Sequence, residues 1–316
     1  MKEEMNEEMN EEESTPRRGG GWLSDILGIK RLESDYGDCP DCGRKNVEFK
    51  VYQSSQGTIR KTNQCPDCNA MWKEERRQEE EMARQAEIVK ERRQWRDTCG
   101  IPPHFANEDF STYDTKWSDK SNNLPKTFKT CWDYAEGFPV NYPKHLNEQG
   151  KAYLSLVMLS PETQGVGKTH LCVAICHRII ERWQGEPRIC PVEFVSEPQL
   201  YNKIQTTFSY TFEEKRNLPS EQDIVNRLIY KSLLVLDDVG TEERYDKKFT
   251  TRILFALING RYENNRPVVM TSNLSAEDLN IYFADGRGSV RIYDRLLEMC
   301  GGSFLRIFGE SHRRKG

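Results

Sequence analysis

The chain has 316 residues, of which 36% are hydrophobic and 30% charged, which leaves room for two or three domains and at least one sizeable core but is more polar than an average globular chain. The formal net charge is −4, yet residues 1–13 hold seven Glu against one Lys, so the remaining chain is nearly balanced at about +2. The most apolar run, Tyr153 to Leu159, is far shorter than the roughly 20 residues that cross a bilayer, and the Glu-rich start has no hydrophobic signal region. Membrane and secreted readings are therefore excluded, and a cytoplasmic location is expected. Ten Cys occur as two Cys-x-x-Cys pairs and six scattered residues, a pattern that suits reduced thiols and a metal better than a disulfide framework.

Residues 1–20 read as a disordered acidic tail with too little apolar content to repay the entropy of ordering. After Gly19-Gly20-Gly21, the apolar patch Trp22, Leu23, Ile26, Leu27 and Ile29 suits one or two helical turns. Residues 21–75 form the first expected domain. Cys39-Pro40-Asp41-Cys42-Gly43 and Cys65-Pro66-Asp67-Cys68-Asn69 are two copies of one knuckle, separated by 22 residues that alternate like a hairpin around Ser54-Ser55-Gln56-Gly57. Four thiolates, Cys39, Cys42, Cys65 and Cys68, suit a closed tetrahedral Zn²⁺ site of structural type. Gly43 and Asn69 are expected to share one role, a left-handed turn over the sulfurs. Such ribbons bind either nucleic acid or protein, and the basic residues Lys45, Lys50, Arg60 and Lys61 fit both.

From Lys73 to Arg96 the sequence is thick with Glu, Arg, Lys and Gln, with a thin apolar stripe at Met82, Ala86 and Val89, so residues 76–98 read as a charged helical linker. Pro102-Pro103 ends that helix. Residues 99–150 approach a core that then alternates strand and helix to the end, and 99–316 is the second expected domain. Strands are expected at 153–160, 192–196, 232–238, 267–272 and 303–308. Helices are expected at 167–184, near 197–206, at 247–265, and near 276–283 and 289–298. Continuous apolar strands between amphipathic helices predict an α/β fold with a parallel sheet covered on both faces.

Gly165-Val166-Gly167-Lys168-Thr169 follows the first of these strands and opens a helix, the context a phosphate-binding loop requires. Its glycines let backbone N–H groups curl around anionic oxygens, Lys168 reaches the β and γ phosphates, and the Thr169 hydroxyl ligates Mg²⁺. The full pattern asks for Gly at 162, where this chain has Glu162, a carboxylate that works against anion binding. The strand Leu233-Leu234-Val235-Leu236 ends in Asp237, suited to hold Mg²⁺, and Asp238, suited to polarise the attacking water. The strand at 267–272 runs into Asn273, either a polar group for the γ phosphate and its water or a helix cap.

Together, Ile101-Pro102-Pro103-x-Phe105, Gly165 to Leu171, Leu236-Asp237-Asp238-Val239-Gly240, Thr271-Ser272-Asn273 and Asp294-Arg295-Leu296 resemble the AAA+ P-loop ATPases that load bacterial replicative helicases, and the related ATP-binding subunits of insertion-sequence transposition systems. The resemblance implies a five-stranded sheet of order 5-1-4-3-2. It implies ATP and Mg²⁺ as cofactors, with nucleotide contacts from Gly165, Val166, Gly167, Lys168, Thr169, His170 and Asp237. It also implies homo-oligomers formed with ATP, in which a neighbour supplies an arginine to the γ phosphate. Arg295 matches that position and Arg291 is the second candidate; either could instead be a surface salt bridge to Asp294 or Glu298. The function implied is Mg-dependent ATP hydrolysis that loads a replicative DNA helicase onto single-stranded DNA, with the zinc ribbon docking the helicase. The alternatives are a transposition regulator of the same clade, or a zinc-ribbon adaptor with a nucleotide-gated scaffold.

Between Thr206 and Asn226, Phe208, Tyr210, Phe212, Lys215 and Arg216 lie close together. Aromatics beside cations suit single-stranded DNA, and a helical hairpin is the other reading. Cys172, Cys176 and His177 on one helix read as buried side chains, and the basic end Gly309 to Arg314 as a solvated terminus or a nucleotide sensor.

Overall fold

The computed structural model describes residues 30–32, 34–53, 57, 59–61, 64–116, 122–140, 152–184, 189–241, 246–284 and 291–311. The acidic tail at 1–20, the apolar patch at 22–29 and the basic residues at 312–314 lie outside the described residues. No helix among those described is long and apolar enough to cross a membrane. The chain divides into two compact units, 1–85 and 86–316, and helix α1 (Pro66–Thr98) runs across the division.

In the first unit, β1 (Lys30–Arg31), β4 (Val51–Gln53) and β5 (Ile59–Lys61) form an antiparallel sheet, and β2 (Asp35–Gly37) pairs with β3 (Val47–Phe49). The expected hairpin is β4 with β5, in the register Val51 to Lys61 and Gln53 to Ile59. Along β3, Val47 and Phe49 point inward and Glu48 outward, so alternation buries two apolar side chains against Cys39 and Cys65.

The two knuckles differ. Gly43 takes φ 70° and donates its N–H to the Cys39 carbonyl at 2.9 Å, as expected. Asn69 is helical instead: α1 begins at Pro66, seven residues before the expected Lys73, and the Asn69 N–H bonds the Cys65 carbonyl at 2.9 Å as part of the helix. Proline at the first helical position lacks only an N–H that would be unpaired there, and the helix-forming run behind it propagates back to the cysteines. Exposed pairs such as Arg76 with Glu80 and Arg77 with Glu74 lie along its surface. Its last turn is not solvated linker: Trp95 is buried in the core of the second unit with Cys99 and Ile101, and Arg92 Nη2 donates to the Trp183 carbonyl at 3.0 Å.

The second unit is built on β6 (Leu156–Leu159), β7 (Val192–Ser196), β8 (Leu233–Val239), β9 (Val268–Ser272) and β10 (Leu305–Arg306), all parallel, in the order β10-β6-β9-β8-β7. Numbered along the sheet's own strands, that order is 5-1-4-3-2. Alternate residues enter opposite cores. Leu156, Met158, Leu233, Val235 and Val269 face α2 (Leu124–Gly137) and α3 (Lys168–Arg182). Val157, Leu159, Leu234, Leu236 and Met270 face α4 (Glu197–Phe208), α6 (Glu221–Tyr230), α7 (Lys247–Glu263), α8 (Ala276–Phe283) and α9 (Arg291–Met299). A short helix, α5 (Glu214–Asn217), lies between α4 and α6. Helix α2 lies in the approach segment, where no helix is expected from the motifs, although Leu124, Phe128, Cys131, Ala135 and Phe138 follow helical spacing.

Candidate nucleotide site and four-cysteine cluster

Strands β6, β8 and β9 end at one edge of the sheet, where open α/β folds place their ligands. The loop after β6 turns through Gly165 (φ 81°) and Gly167 (φ 86°) into α3, whose N-terminus carries no side-chain cap. Its first N–H groups are thus turned toward an anion site rather than consumed by a capping hydroxyl. Glycine is required at 167 twice over, by its left-handed φ and because a Cβ there would stand 2.6 Å from the Tyr113 ring. Tyr113 donates its hydroxyl to the Val166 carbonyl at 3.0 Å, so the approach segment braces the loop.

Lys168 is buried and donates to Asn273 Oδ1 at 2.6 Å and to the Ser160 hydroxyl. Asn273 is not the cap of the following helix, because Ser275 takes that role by accepting the Asp278 N–H at 3.0 Å. Thr169 Oγ1 donates to Asp237 Oδ2 at 2.9 Å, and Thr271 Oγ1 donates to Asp237 Oδ1 at 2.6 Å while accepting the Asp238 N–H at 2.9 Å. Burial pushes the Asp237 carboxyl up to about 6, with the neighbouring Asp238 charge adding to it and the two threonine hydroxyls opposing it. A hydroxyl and a carboxylate side by side at the base of the loop are hard oxygen donors suited to Mg²⁺.

A cleft of about 700 Å³ opens here, lined by Lys168, Thr169, Asp238 and Asn273 and also by His104, Phe105 and Tyr113. That volume fits a small-molecule site. His170 lines it as well; its Nε2–H donates to the Asp109 carbonyl at 2.7 Å, and its Nδ1 lies 3.3 Å from a Glu108 carboxylate oxygen. The sequence motifs include Phe105 without assigning it a place in the site and omit His104 and Tyr113. The usable signal is the pair of rings near the Pro102-Pro103 break, since a chain stiffened there holds aromatics where it is anchored.

Glu162, the departure from the loop pattern, forms an ion pair with Arg306 on β10 and does not line the cleft. The arginine on the adjacent strand offsets the carboxylate that the motif would not contain.

Arg295 and Arg291 lie on α9, and neither lines the cleft. The Arg295 guanidinium sits over the rings of Phe255 and Tyr262 at 5.3 and 5.6 Å, and that of Arg291 over Phe255 at 5.1 Å. Among the described residues Arg295 makes no ion pair; Glu298 instead accepts the Tyr262 hydroxyl at 3.0 Å, and Arg295 Nη1 is buried without a hydrogen-bond partner. The segment 206–226 links the end of α4 through the short α5 to the start of α6, and two of its aromatics face outward: Phe208 and Phe212 are 58% and 78% exposed, and the Arg216 guanidinium lies 5.1 Å over the Phe212 ring. Tyr210 is half-buried. Cys172 and Cys176 are fully buried in α3, where burial holds both as thiols, and His177 Nδ1–H donates to the Glu108 carbonyl at 2.9 Å rather than joining them.

In the first unit the Cys39, Cys42, Cys65 and Cys68 sulfurs all lie within 4.8 Å of one another, with Cys42 and Cys65 at 3.7 Å. A tetrahedron with Zn–S bonds of about 2.3 Å has edges of roughly 3.8 Å, so the donor set fits zinc. Backbone N–H groups of Cys42 and Cys65 pull the Cys39 thiol down to about 6, toward the thiolate a metal requires. The Cys65 sulfur also accepts the Cys68 N–H at 3.4 Å, at the start of α1. The repeated Pro-Asp has a structural use: Asp41 accepts from Gln64 Nε2 at 2.6 Å and Asp67 pairs with Arg44, so each knuckle's aspartate ties to a residue flanking the other knuckle.

The chain matches the family of IstB-like ATP binding proteins over residues 152–316, just over half its length. It is 26% identical over 219 residues to the replicative helicase loader DnaC of Escherichia coli strain K12, covering 68% of this chain and 73% of that protein. It is 27% identical over 156 residues to the replicative helicase loader DnaI of Bacillus subtilis, covering 47% of this chain and 45% of that protein. The crystal structure of the DnaC helicase loader superposes with a TM-score of 0.47 at 22% identity, covering 66% of this chain and 100% of that one. With a phosphate loop, a carboxylate-ended strand and a polar third strand at one sheet edge, and that match across the core, the chain belongs to the IstB-like ATP-binding protein family.

Proposed function

We propose that this protein is an ATP-driven loader that delivers a replicative DNA helicase to single-stranded DNA in the cytoplasm. The observation that carries the reading is the convergence of Lys168, Thr169, Asp238 and Asn273 on one cleft, with buried Asp237 hydrogen-bonded to Thr169, in a chain homologous to helicase loaders. Gly165, Val166 and Gly167 offer backbone N–H groups to the phosphates, Lys168 reaches the β and γ phosphates, and His170 fixes the wall of the cleft. Thr169 and Asp237 would hold Mg²⁺, which supplies charge neutralisation across the phosphates when bound. Asp238 polarises the attacking water, and Asn273 orients Lys168 and the γ-phosphate side of the cleft. Cys39, Cys42, Cys65 and Cys68 hold zinc and fold the helicase-docking module.

Arg295 serves a neighbouring subunit's γ phosphate in an ATP-bound homo-oligomer. Its position outside the cleft, its aromatic cradle and, among the described residues, its lack of an ion pair support that role. An Arg295→Ala chain and an Asp238→Asn chain, each inactive alone, should recover hydrolysis when mixed, since one interface then holds both intact halves; no recovery at any ratio would exclude a shared site.

The test of the loader reading is retention of the replicative helicase on a single-stranded DNA circle, which should require both this chain and ATP. The family match favours one second reading, an ATP-binding subunit of a transposition system. Capture of a transposase instead of the helicase would select it.

A further inference from the structure

Glu197 opens α4 and is completely buried, where a carboxylate is rarely found without a full set of partners. Its oxygens serve three elements. Oε1 accepts the hydroxyls of Tyr201, one turn along α4, and of Tyr282 on α8, each at 2.7 Å. Oε2 accepts the backbone N–H of Gly240 at 2.7 Å, and Gly240 stands two residues beyond Asp238 in the turn that ends β8.

That turn is held in a costly conformation. Asp238 has φ 56°, and the ladder between β8 and β9 shifts register between Leu236 and Val239. A non-glycine residue persists in the left-handed region only where its surroundings over-determine it. From β9, Thr271 Oγ1 accepts the Asp238 N–H at 2.9 Å and Ser272 Oγ donates to the Val239 carbonyl at 2.6 Å. From the other flank, β7 pairs Ser196 with Asp237, which brings Glu197 level with the turn. Hydroxyls of β9 hold Asp237, Asp238 and Val239, and the carboxylate of α4 holds the adjoining Gly240.

We propose that Glu197 is a positioning residue for ATP hydrolysis: by fixing the Gly240 N–H it sets the direction of the Asp238 carboxylate, while Tyr201 and Tyr282 hold Glu197 itself in place. The inference rests on the reading of Asp238 as the group that polarises water. Glu197 does not line the cleft, so its removal acts on the chemical step and leaves nucleotide binding intact.

Two substitutions in the full-length chain separate reach from charge. Glu197→Gln keeps the length of the side chain and an oxygen that accepts the Gly240 N–H, whereas Glu197→Asp keeps the charge and falls short of it. Single-turnover hydrolysis and ATP affinity are measured in parallel for both, with Asp238→Asn as reference. Glu197→Asp should slow hydrolysis at least about tenfold, the scale of an ångström-sized misplacement, with ATP affinity within about twofold of wild type. Glu197→Gln should stay within about threefold of the wild-type rate. A Gln variant as slow as Asp or slower, or rate and affinity falling together, assigns Glu197 to structure alone and overturns the proposal. Wild-type rates in both variants beside an inactive Asp238→Asn remove only the role of Glu197, whereas wild-type hydrolysis by Asp238→Asn removes the reading of Asp238 and this inference with it.

Discussion

Among the described residues of the first unit, Cys39, Val47, Phe49 and Cys65 form the buried cluster, whereas in the second unit apolar side chains of the strands fill both faces of a parallel sheet. The first set is, among the described residues, small for the strands it orders, and two of its members belong to the four-cysteine cluster; the second resembles an ordinary domain core. On the proposed zinc reading, the first unit draws its folding energy from metal and the second from apolar burial, so a single perturbation should divide them. Under the proposed function, docking would then depend on metal and nucleotide chemistry would not.

The largest effect expected is on the first unit. Chelation of zinc, or Cys39→Ser, should abolish amide protection across residues 34–68 of the full-length chain, since structural zinc supplies roughly 10–16 kcal/mol at neutral pH in comparable small modules. ATP affinity should stay within about twofold, because the cleft draws on nothing before His104. Hydrogen exchange that leaves 34–68 protected after metal removal would show that the four cysteines are not the source of folding energy.

The converse perturbation belongs to the second unit. Lys168→Ala removes the charged donor now held by Asn273 and Ser160 and should weaken ATP binding by about 1.5–3 kcal/mol, roughly 10- to 150-fold. Metal content of the first unit should not change. Asp238→Asn should bind ATP normally and hydrolyse it poorly. Calorimetry showing equal ATP affinity for Lys168→Ala and wild type would remove the phosphate-loop assignment.

A smaller effect is expected at the segment between α4 and α6. Phe208 and Phe212 are the aromatics that face outward there, and Phe212 already stacks with Arg216. Replacing both by Ala should cost single-stranded DNA affinity about 1–3 kcal/mol per lost stack, with ATP affinity unchanged. The measurement must hold salt fixed, because the phosphate contribution varies steeply with it. DNA affinity unchanged at matched salt would return the segment to a purely structural role.

The same division governs what the sequence makes legible. Asp237, Asp238 and Asn273 lie at strand ends and Lys168 and Thr169 open the helix after β6, so the alternation of apolar strands and amphipathic helices already says which edge they share. Cys39, Cys42, Cys65 and Cys68 are legible because ligand spacing is local. What composition hides is support that arrives from far along the chain. Tyr113 against Gly167, Arg306 against Glu162 and Glu197 against Gly240 join residues that no local period relates. The symmetry of the two knuckles misleads for the opposite reason: identical Cys-Pro-Asp-Cys segments take different conformations because one is followed by a strand and the other by a strong helix former. Helix propensity behind Cys68 wins over the local likeness of Asn69 to Gly43.

The smallest expected effect concerns Glu162, the residue that sets this loop apart from the full phosphate-binding pattern. Its pair with Arg306 is well exposed, at 45% and 66% of side-chain surface, so the pair itself should contribute at most about 1 kcal/mol to stability. Its bearing on nucleotide binding is electrostatic: Arg306→Ala leaves a carboxylate unneutralised near the loop and should weaken ATP binding two- to threefold, about 0.5 kcal/mol. Glu162→Gln should restore that affinity in the double variant, and by itself should leave it at or slightly above wild type. Because the charges are exposed and the Debye length is about 8 Å at physiological ionic strength, the Arg306→Ala loss should shrink as salt is raised. A double-mutant cycle on ATP affinity at two salt concentrations measures this coupling. A loss in Arg306→Ala that Glu162→Gln does not restore would place the role of Arg306 in holding β10 against β6, and would leave Glu162 tolerated for its exposure rather than for its partner.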